Sequence, residues 1–565
     1  MMSKPKAFVI AFAVTVIFAA FFLYPASSIV VDAFRTEDGG FTLELVREVF
    51  RNPVHVEGVL NALYMGAAST LLALLIAFPL SLVHHRFVFP GRRLFSGLIL
   101  VPLVLPPFVG AIGLAHILGV AGSLNAFLIE MGWMNPMKRI DWLAEGRFWG
   151  VVAMNALHLY PILYLNITAS LAQIDPAVEQ AAENLGSSPR SRLFRVTLPL
   201  AMPGIFAGGS LVFIWSFTEL GVPLVFGYDR VAPVQIFHGL KDLNGDPTPY
   251  ALVSVVLLIS LLVFGITKML FGRNMSFTQP RPKASHKLRP LGKLASLACM
   301  GIFLVVFLLA SIPHAGVLLM AFSGDWYDSI LPLVWTLDHF KEALGDPLVV
   351  PSIENSLVYA SCATVVALCL GLAASWVIAR SDLRGRGVLD ALLMLPLAVP
   401  GLVLAFGYLA LSREGQPLHF MMWPAGSPAV LLIAAYAVRR LPYVVRSAVA
   451  GLQQGDPAME EAARTFGAGS LKTLRRVSLP LIATNIVAGG ILAFSFSMLE
   501  VSDSLILAQR VEHYPITKAI YTLLSTLGNG HQLAAALGVW AMVFLGVSMM
   551  GAVFIAGKKG GLFRM

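Results

Sequence analysis

The sequence predicts an all-α, polytopic membrane protein of about twelve transmembrane helices, built as two six-helix halves in parallel repeat. Three observations predict it: the composition, the succession of apolar runs, and an internal repeat. Of 565 residues, 57% are hydrophobic and only 13% charged, and the mean hydropathy is +0.78. A soluble domain carries about 25% charged residues. No soluble fold of this size keeps so much apolar surface from water, so the bilayer is the expected solvent.

The formal net charge is +9. Its basic residues fall in short stretches between apolar runs, which marks cytoplasmic loops and not a nucleic-acid surface. Cys299, Cys362 and Cys369 each lie inside an apolar run, with no CxxC or Cys/His cluster. Neither a disulfide framework nor a metal site is expected. The first apolar run, 7–31, follows Lys4 and Lys6. It exceeds the ~7–15 apolar residues of a signal peptide, so it reads as an uncleaved first helix.

Runs long enough to cross occur at 7–31, 58–83, 94–119, 148–171, 203–227 and 249–271, and again at 294–322, 354–379, 388–411, 427–450, 484–508 and 532–556. Each needs ~20 apolar residues to span the hydrocarbon. The basic loops HHRFVFPGRR (84–93) and RSDLRGRG (380–387) fall on one side if there are twelve crossings. The stretch 272–293, with Arg273, Arg281, Lys283, Lys287, Arg289 and Lys293, falls on that side too, as does the tail with Lys558, Lys559 and Arg564. Both termini are therefore expected in the cytoplasm. The 272–293 stretch contains three prolines and reads as a basic cytoplasmic linker between a first half, 1–271, and a second half, 294–565.

The halves repeat each other. At an offset of 294, Asn61 matches Asn355, Thr70 matches Thr364, Arg86 matches Arg380, Gly91 matches Gly385, and Pro102 and Pro106 match Pro396 and Pro400. Further on the offset falls to 281, so the first half carries 13 additional residues, expected in the loop near 132–147. The densest match is DPAVEQAAENLGSSPRSRLFRVTLPL (175–200) against DPAMEEAARTFGAGSLKTLRRVSLPL (456–481). An even number of crossings per half makes the repeats parallel.

Each block predicts a helix, a turn and a second short basic helix outside the bilayer. Asp175 and Asp456 suit N-caps, and Pro176 and Pro457 the first turn. Gly186 and Gly467 stop the helix. The block resembles the EAA motif of binding-protein-dependent ABC importer permeases of the type I fold. Glu461, Ala462, Ala463, Gly467, Leu479 and Pro480 fit the motif. The first half has Gln180 at the motif glutamate, preceded by Glu179, and keeps Ala181, Ala182, Gly186, Leu198 and Pro199.

The resemblance implies that both blocks are coupling helices docking on ATPase subunits. It implies two such subunits, carrying ATP and Mg, and a soluble substrate-binding protein. It also implies an inner-membrane location and no enzymatic role for this chain. The chain has no GxxxxGK[ST] phosphate loop. A twelve-helix secondary transporter would also have two six-helix halves, but it does not account for an EAA-type elbow in each. Neither HExxH nor a nucleophile elbow points to a membrane enzyme. Fused double permeases of this length resemble the ferric-iron branch, with thiamine, 2-aminoethylphosphonate or polyamine as alternative substrates.

Charge inside a membrane is costly and marks candidate function. Glu219 and Glu500 match at offset 281, as do Ser216 and Ser497, and Asp503 lies one turn after Glu500. These five residues are the expected translocation path, with Glu219 and Glu500 facing a shared cavity. The alternative is carboxylates that serve helix packing. Arg439 and Arg440 stand where the first half has His158 and Leu159, so one half alone could contribute a basic group; the alternative expectation is pairing with a carboxylate on a neighbouring helix or snorkelling to an interface.

Overall fold

A bilayer core offers no partner to backbone N–H and C=O groups, so apolar runs of this length close their hydrogen bonds internally as helices. The computed structural model describes residues 4–35, 40–239, 248–271, 289–422 and 427–559. They are almost wholly helical. Their one sheet is a two-residue parallel pair, β1 (Phe87–Val88) with β2 (Arg289–Pro290). Most of the predicted linker, 272–288, and Arg564 lie outside the described residues.

The first-half helices used below are α1 (Lys4–Ala33), α2 (Pro53–Arg86), α3 (Pro107–Leu118), α4 (Trp142–Leu171), α5 (Pro176–Asn184), α6 (Leu198–Phe217), α7 (Gly221–Val225) and α8 (Thr248–Phe271). The second half supplies α9 (Lys293–Phe322), α10 (Val349–Arg380), α11 (Gly401–Leu411), α12 (Ala429–Gln454), α13 (Pro457–Thr465), α14 (Ala483–Met498), α15 (Ser502–Leu507) and α16 (Gly530–Lys559).

Among the described residues, nine helices are long and apolar enough to cross a membrane, or eleven if each of two bent pairs is one crossing. The remaining expected crossing is α12. Its 26 residues would span, but Arg439, Arg440 and Arg446 set it apart from the purely apolar helices. Phe12, Leu71, Leu75, Leu262 and Val547 stand exposed along these helices, as lipid-facing side chains do and as water-facing ones in such numbers do not.

Two pairs of expected crossings are broken. Leu105 and Pro106 adopt extended backbone before α3, and Pro400 does so before α11. The second-half pair bends by 94° at this point. A proline forbids helical geometry to the residue before it, which ends the helix there. The other bent pair meets at Ile482, where Leu474–Leu481 and Ala483–Met498 bend by 69°; further along, the helix stops at 218–220 between α6 and α7, and at 499–501 between α14 and α15.

The chain packs as two compact units. Unit 2 comprises residues 50–239 and 255–337, and its core is α2, α4 and α6 in mutual contact. Unit 1 comprises residues 1–49, 240–254 and 338–565, with α10, α12 and α14 in the same arrangement. The units differ from the sequence halves in that each takes the other half's first helix, and the start of α8 falls in unit 1. In unit 2, α9 packs on α3; in unit 1, α1 packs on α11.

Matched glycines permit both contacts. A Cβ at Gly113 would meet the Pro313 carbonyl oxygen at 2.3 Å, and one at Gly407 would meet the Pro25 carbonyl oxygen at 2.3 Å. The obstructing atoms are backbone, which cannot swing aside. Gly113→Val or Gly407→Val is therefore expected to push the first helix off its seat, at the ~1–3 kcal/mol typical of overpacking. Gly301→Ala, in open space on α9, serves as the control. Thermal unfolding in detergent checks this: a loss of several degrees for the two valine variants and none for the control is the expected result, and equal melting temperatures would refute it.

Candidate functional site

The two repeated blocks form matching elbows. Asp175 Oδ1 accepts from the Ala177 N–H at 2.9 Å, and Asp456 Oδ1 from the Ala458 N–H at 2.9 Å, so each carboxylate caps its helix. At the other end Gly186 and Gly467 both take φ +80, a region that favours glycine. The Ser187 N–H reaches the Ala182 carbonyl at 3.0 Å and the Gly186 N–H reaches Glu183 at 2.9 Å; Ala468 to Ala463 and Gly467 to Arg464 repeat the pattern at 3.0 and 2.8 Å. Both helices thus end in a Schellman motif. Each elbow then returns through a π-helical turn, Leu193–Thr197 or Leu474–Ser478.

The inner face of each elbow is clamped. Arg86, the last residue of α2, donates from Nη2 to Glu179 Oε1 at 3.0 Å and to Thr197 Oγ1 at 2.9 Å. The Thr197 hydroxyl also donates to Glu179. In unit 1, Arg380 at the end of α10 donates from Nε to Glu460 Oε1 at 3.1 Å, and from Nη2 to the Leu452 and Gly455 carbonyls at 2.7 and 3.2 Å. Glu179 and Glu460 match at offset 281, and Arg86 and Arg380 at offset 294. The sequence showed both matches but not that they join, because the partners lie 93 and 80 residues apart. Glu179 therefore faces inward, while Gln180, Ala181, Glu461 and Ala462 face out, and Ala182 and Ala463 are half-buried.

The outer face is apolar. Leu185 is 88% exposed and its counterpart Phe466 90% exposed. Val178 and Met459, seven residues earlier and so on the same helical face, are exposed as well. Exposed side chains of this size at matched places give each elbow a small apolar patch.

The intramembrane carboxylates divide differently between the halves. Glu500 accepts from Arg439 at 2.6 Å and from Arg440. Arg439 also reaches Asp503 Oδ2 at 2.9 Å. Two cations and two anions thus cancel, and both carboxylates are buried. Arg440 also donates to the Phe496 carbonyl at 2.9 Å, and the Glu500 carbonyl accepts from Ser504 and Thr517 hydroxyls at 2.6 and 2.7 Å. The cluster ties α12 to the break between α14 and α15.

In the first half Arg440 is replaced by Leu159, and His158, in place of Arg439, contacts the Pro102 carbonyl at 2.8 Å. Glu219 instead accepts the Gly221 and Val222 N–H groups at 3.0 and 3.2 Å, capping α7 after the equivalent break. Ser216 and Ser497 are buried beside these breaks, and the Ser497 hydroxyl donates to the Ala493 carbonyl at 2.7 Å. Of the alternatives for the arginines, carboxylate pairing is the observed one.

Two predictions follow from these clamps. Burial pushes the Glu179 carboxyl up, but the Thr197 hydroxyl and the Arg86 guanidinium outweigh it and hold the group below its ordinary value of 4.5. A carboxyl lowered by folding stabilises the protein fully above its unfolded value and loses that share as pH falls through the folded value. The melting-temperature gap between wild type and Glu179→Gln is expected to be constant above about pH 5 and to close below it. A gap that widened on acidification would refute the clamp.

In the buried cluster, removing one partner strands a charge at about 3–5 kcal/mol, whereas removing a pair does not. Glu500→Gln or Arg440→Leu alone should therefore lower the yield of folded protein, and the double variant should recover much of it. Additive losses would show that the ion pair does not hold the break.

Comparison with known proteins agrees with this geometry. The family described as binding-protein-dependent transport system inner membrane component matches residues 57–275 and 367–554, one copy in each half. The ferric transport system permease protein of Actinobacillus pleuropneumoniae is 28% identical over 520 residues, covering 89% of this chain and 72% of that protein. A putative ferric transport system permease protein of Haemophilus influenzae is 27% identical over 513 residues, covering 88% and 77%. A putative 2-aminoethylphosphonate transport system permease protein of Salmonella paratyphi A is 28% identical over 266 residues, covering 47% of this chain and 91% of its own length. With both halves matched and the elbow present in each, the chain belongs to the family of binding-protein-dependent transport system inner membrane components.

Proposed function

We propose that this permease imports ferric iron, taking it from a soluble binding protein and releasing it to the cytoplasm, with energy from two separate ATPase subunits. The observation that carries the reading is the pair of matched elbows, each capped at both ends, clamped on its inner face and apolar on its outer face. One elbow per ATPase subunit gives two such subunits, and ATP and Mg bind there. Ala181, Ala182 and Gly186, with Ala462, Ala463 and Gly467, provide the close-packing surface. Leu185 and Phe466 provide apolar anchors, each contributing about 1.5–3 kcal/mol when fully covered. Gln180 and Glu461 flank that contact. Glu179 has the other task of holding the helix to α2.

The clamps give the elbows their mechanical use. Arg86 joins the first coupling helix to a 34-residue helix, and Arg380 joins the second to a 32-residue helix. Displacing either elbow therefore displaces a long membrane helix with it. ATP binding must favour one conformation over the other for this to drive alternating access. The lysine and arginine placement puts both termini on the elbow side, in the cytoplasm.

The broken segments beside Glu219 and Glu500 are the proposed route, because irregular backbone at membrane depth is tolerated only where protein or a cavity surrounds it. Glu219, Glu500 and Asp503 fix the backbone at those breaks through their amide and arginine partners, and Ser216 and Ser497 adjoin them. Ferric iron is the favoured substrate because two relatives bearing that name align with most of the chain, while the aminoethylphosphonate relative aligns with about half.

Uptake of labelled ferric iron in cells with and without the gene tests the substrate, with thiamine, 2-aminoethylphosphonate and spermidine as parallel tracers. Loss of iron uptake alone is expected; loss of an organic tracer with iron unchanged would discard the iron assignment. Leu185→Asp and Phe466→Asp are expected to leave folded protein in the membrane, release the co-purifying ATPase and abolish uptake. Retention of the ATPase by both variants would overturn the docking role.

A further inference from the structure

Unit 2 contains a cavity of about 970 Å³ at the end of α2 remote from its elbow. Its walls are the first turns of α2, the start of α4 and the loop 227–230. The polar end is built from paired groups. Arg230 Nη1 lies 3.2 Å from Glu57 Oε1, Asn61 Nδ2 donates to the Arg230 carbonyl at 2.8 Å, and Arg147 Nη1 donates to the Gly227 carbonyl at 2.8 Å. Asp229 completes a rim of two cations and two anions.

From this rim the cavity runs along α2 past Tyr64 to Ala67, Ala68 and Leu71. These positions lie three, four and seven residues beyond Tyr64 and so form one stripe of the helix. Tyr64 and Trp149 are 61% and 66% exposed just inside the charged rim, where aromatic side chains mark the boundary between headgroups and hydrocarbon. Glu57 to Leu71 covers about 21 Å at 1.5 Å per residue. That exceeds the ~15 Å from a membrane surface to its midplane. A soluble protein can touch the rim, but only a molecule already in the bilayer reaches Leu71.

We propose that this groove binds one glycerophospholipid with a zwitterionic headgroup. The phosphate sits between Arg147 and Arg230, the ammonium group faces Glu57 and Asp229, and one acyl chain lies along Ala67, Ala68 and Leu71 under Tyr64 and Trp149. The volume stands at the upper end of the ~300–1,000 Å³ usual for ligand pockets, room for a headgroup and most of a chain.

The repeat supplies an internal control. At offset 294, Glu57 and Tyr64 become Pro351 and Val358; at offset 281, Arg147, Trp149 and Arg230 become Pro428, Val430 and Val511. Asn355 is kept and holds the Glu512 and Tyr514 carbonyls at 3.0 and 3.2 Å. Asp229 becomes Arg510, which lies 4.0 Å from Glu512. The loop anchor therefore belongs to both halves, whereas Arg147, Arg230, Glu57 and the aromatic pair belong to one.

Native mass spectrometry of the full chain tests this, after reconstitution with equimolar phosphatidylethanolamine and phosphatidylglycerol and graded delipidation. Wild type is expected to retain one phosphatidylethanolamine. Ala68→Trp, which fills the groove, and Arg147→Ala should each lower retention about tenfold. Leu75→Trp, exposed on α2 beyond the cavity, should not. If Arg147→Ala fails to fold, Arg230→Gln replaces it, since that side chain is 73% exposed. Retention unchanged by Ala68→Trp overturns the site, and a preference for phosphatidylglycerol overturns the zwitterionic assignment. Intact lipid retention in Ala68→Trp with loss of binding-protein docking would instead make the groove a protein contact and sink the proposal.

Discussion

In hydrocarbon an unpaired charge or an open backbone group has no solvent to turn to. The two breaks after α6 and α14 are accordingly answered from within the protein. Where α6 stops, the Glu219 carboxylate accepts the first amides of α7. Where α14 stops, Arg439 and Arg440 neutralise Glu500 and Asp503, while hydroxyls of Ser504 and Thr517 occupy the Glu500 carbonyl. The same break is thus secured twice by different chemistry. The first half uses backbone donors, with Leu159 at the position of Arg440, and the second uses guanidinium groups from α12. A duplicated scaffold keeps its geometry while its charge diverges.

At the elbows the solvent changes and so does the design. Polar caps and a Schellman end satisfy the backbone, one arginine per unit fixes the inner face, and the outer face is left apolar. The two clamps have different surroundings. Arg86 and Glu179 are joined by Thr197 and remain partly open to water, whereas Arg380 and Glu460 are more deeply covered, and Arg380 also donates to two backbone carbonyls. An exposed pair of this kind contributes little on its own. Its value lies in fixing one orientation of the elbow on α2 or α10.

The exchange of first helices rests on small residues, not on charge. Gly113 and Gly407 let the backbones of α9 and α1 approach at points where any side chain would collide with a carbonyl. Without a hydrophobic driving force between helices in lipid, such close contact is a principal source of association. This explains why two glycines 294 residues apart matter to packing while Gly301, in open space, has no such constraint.

The sequence by itself determined the membrane class, the duplicated architecture and the elbow caps. Each of these follows from short-range chemistry: runs of apolar residues, an Asp-Pro start, a glycine stop, and a repeat that can be counted. Only the tertiary structure decided which half each first helix joins, because α1 and α9 are apolar around most of their surface and carry no address. Likewise, only the fold joined Arg86 to Glu179 and Arg439 to Asp503, since an ion pair between residues 93 or 64 apart depends on which helices meet. The breaks at Pro106 and Pro400 were legible as prolines, yet hydropathy runs smoothly through them, so the bend appears only when the backbone is drawn. Glu219 and Glu500 read alike in sequence. Their different partners come from the helix packed beside each one, which sequence periodicity does not specify.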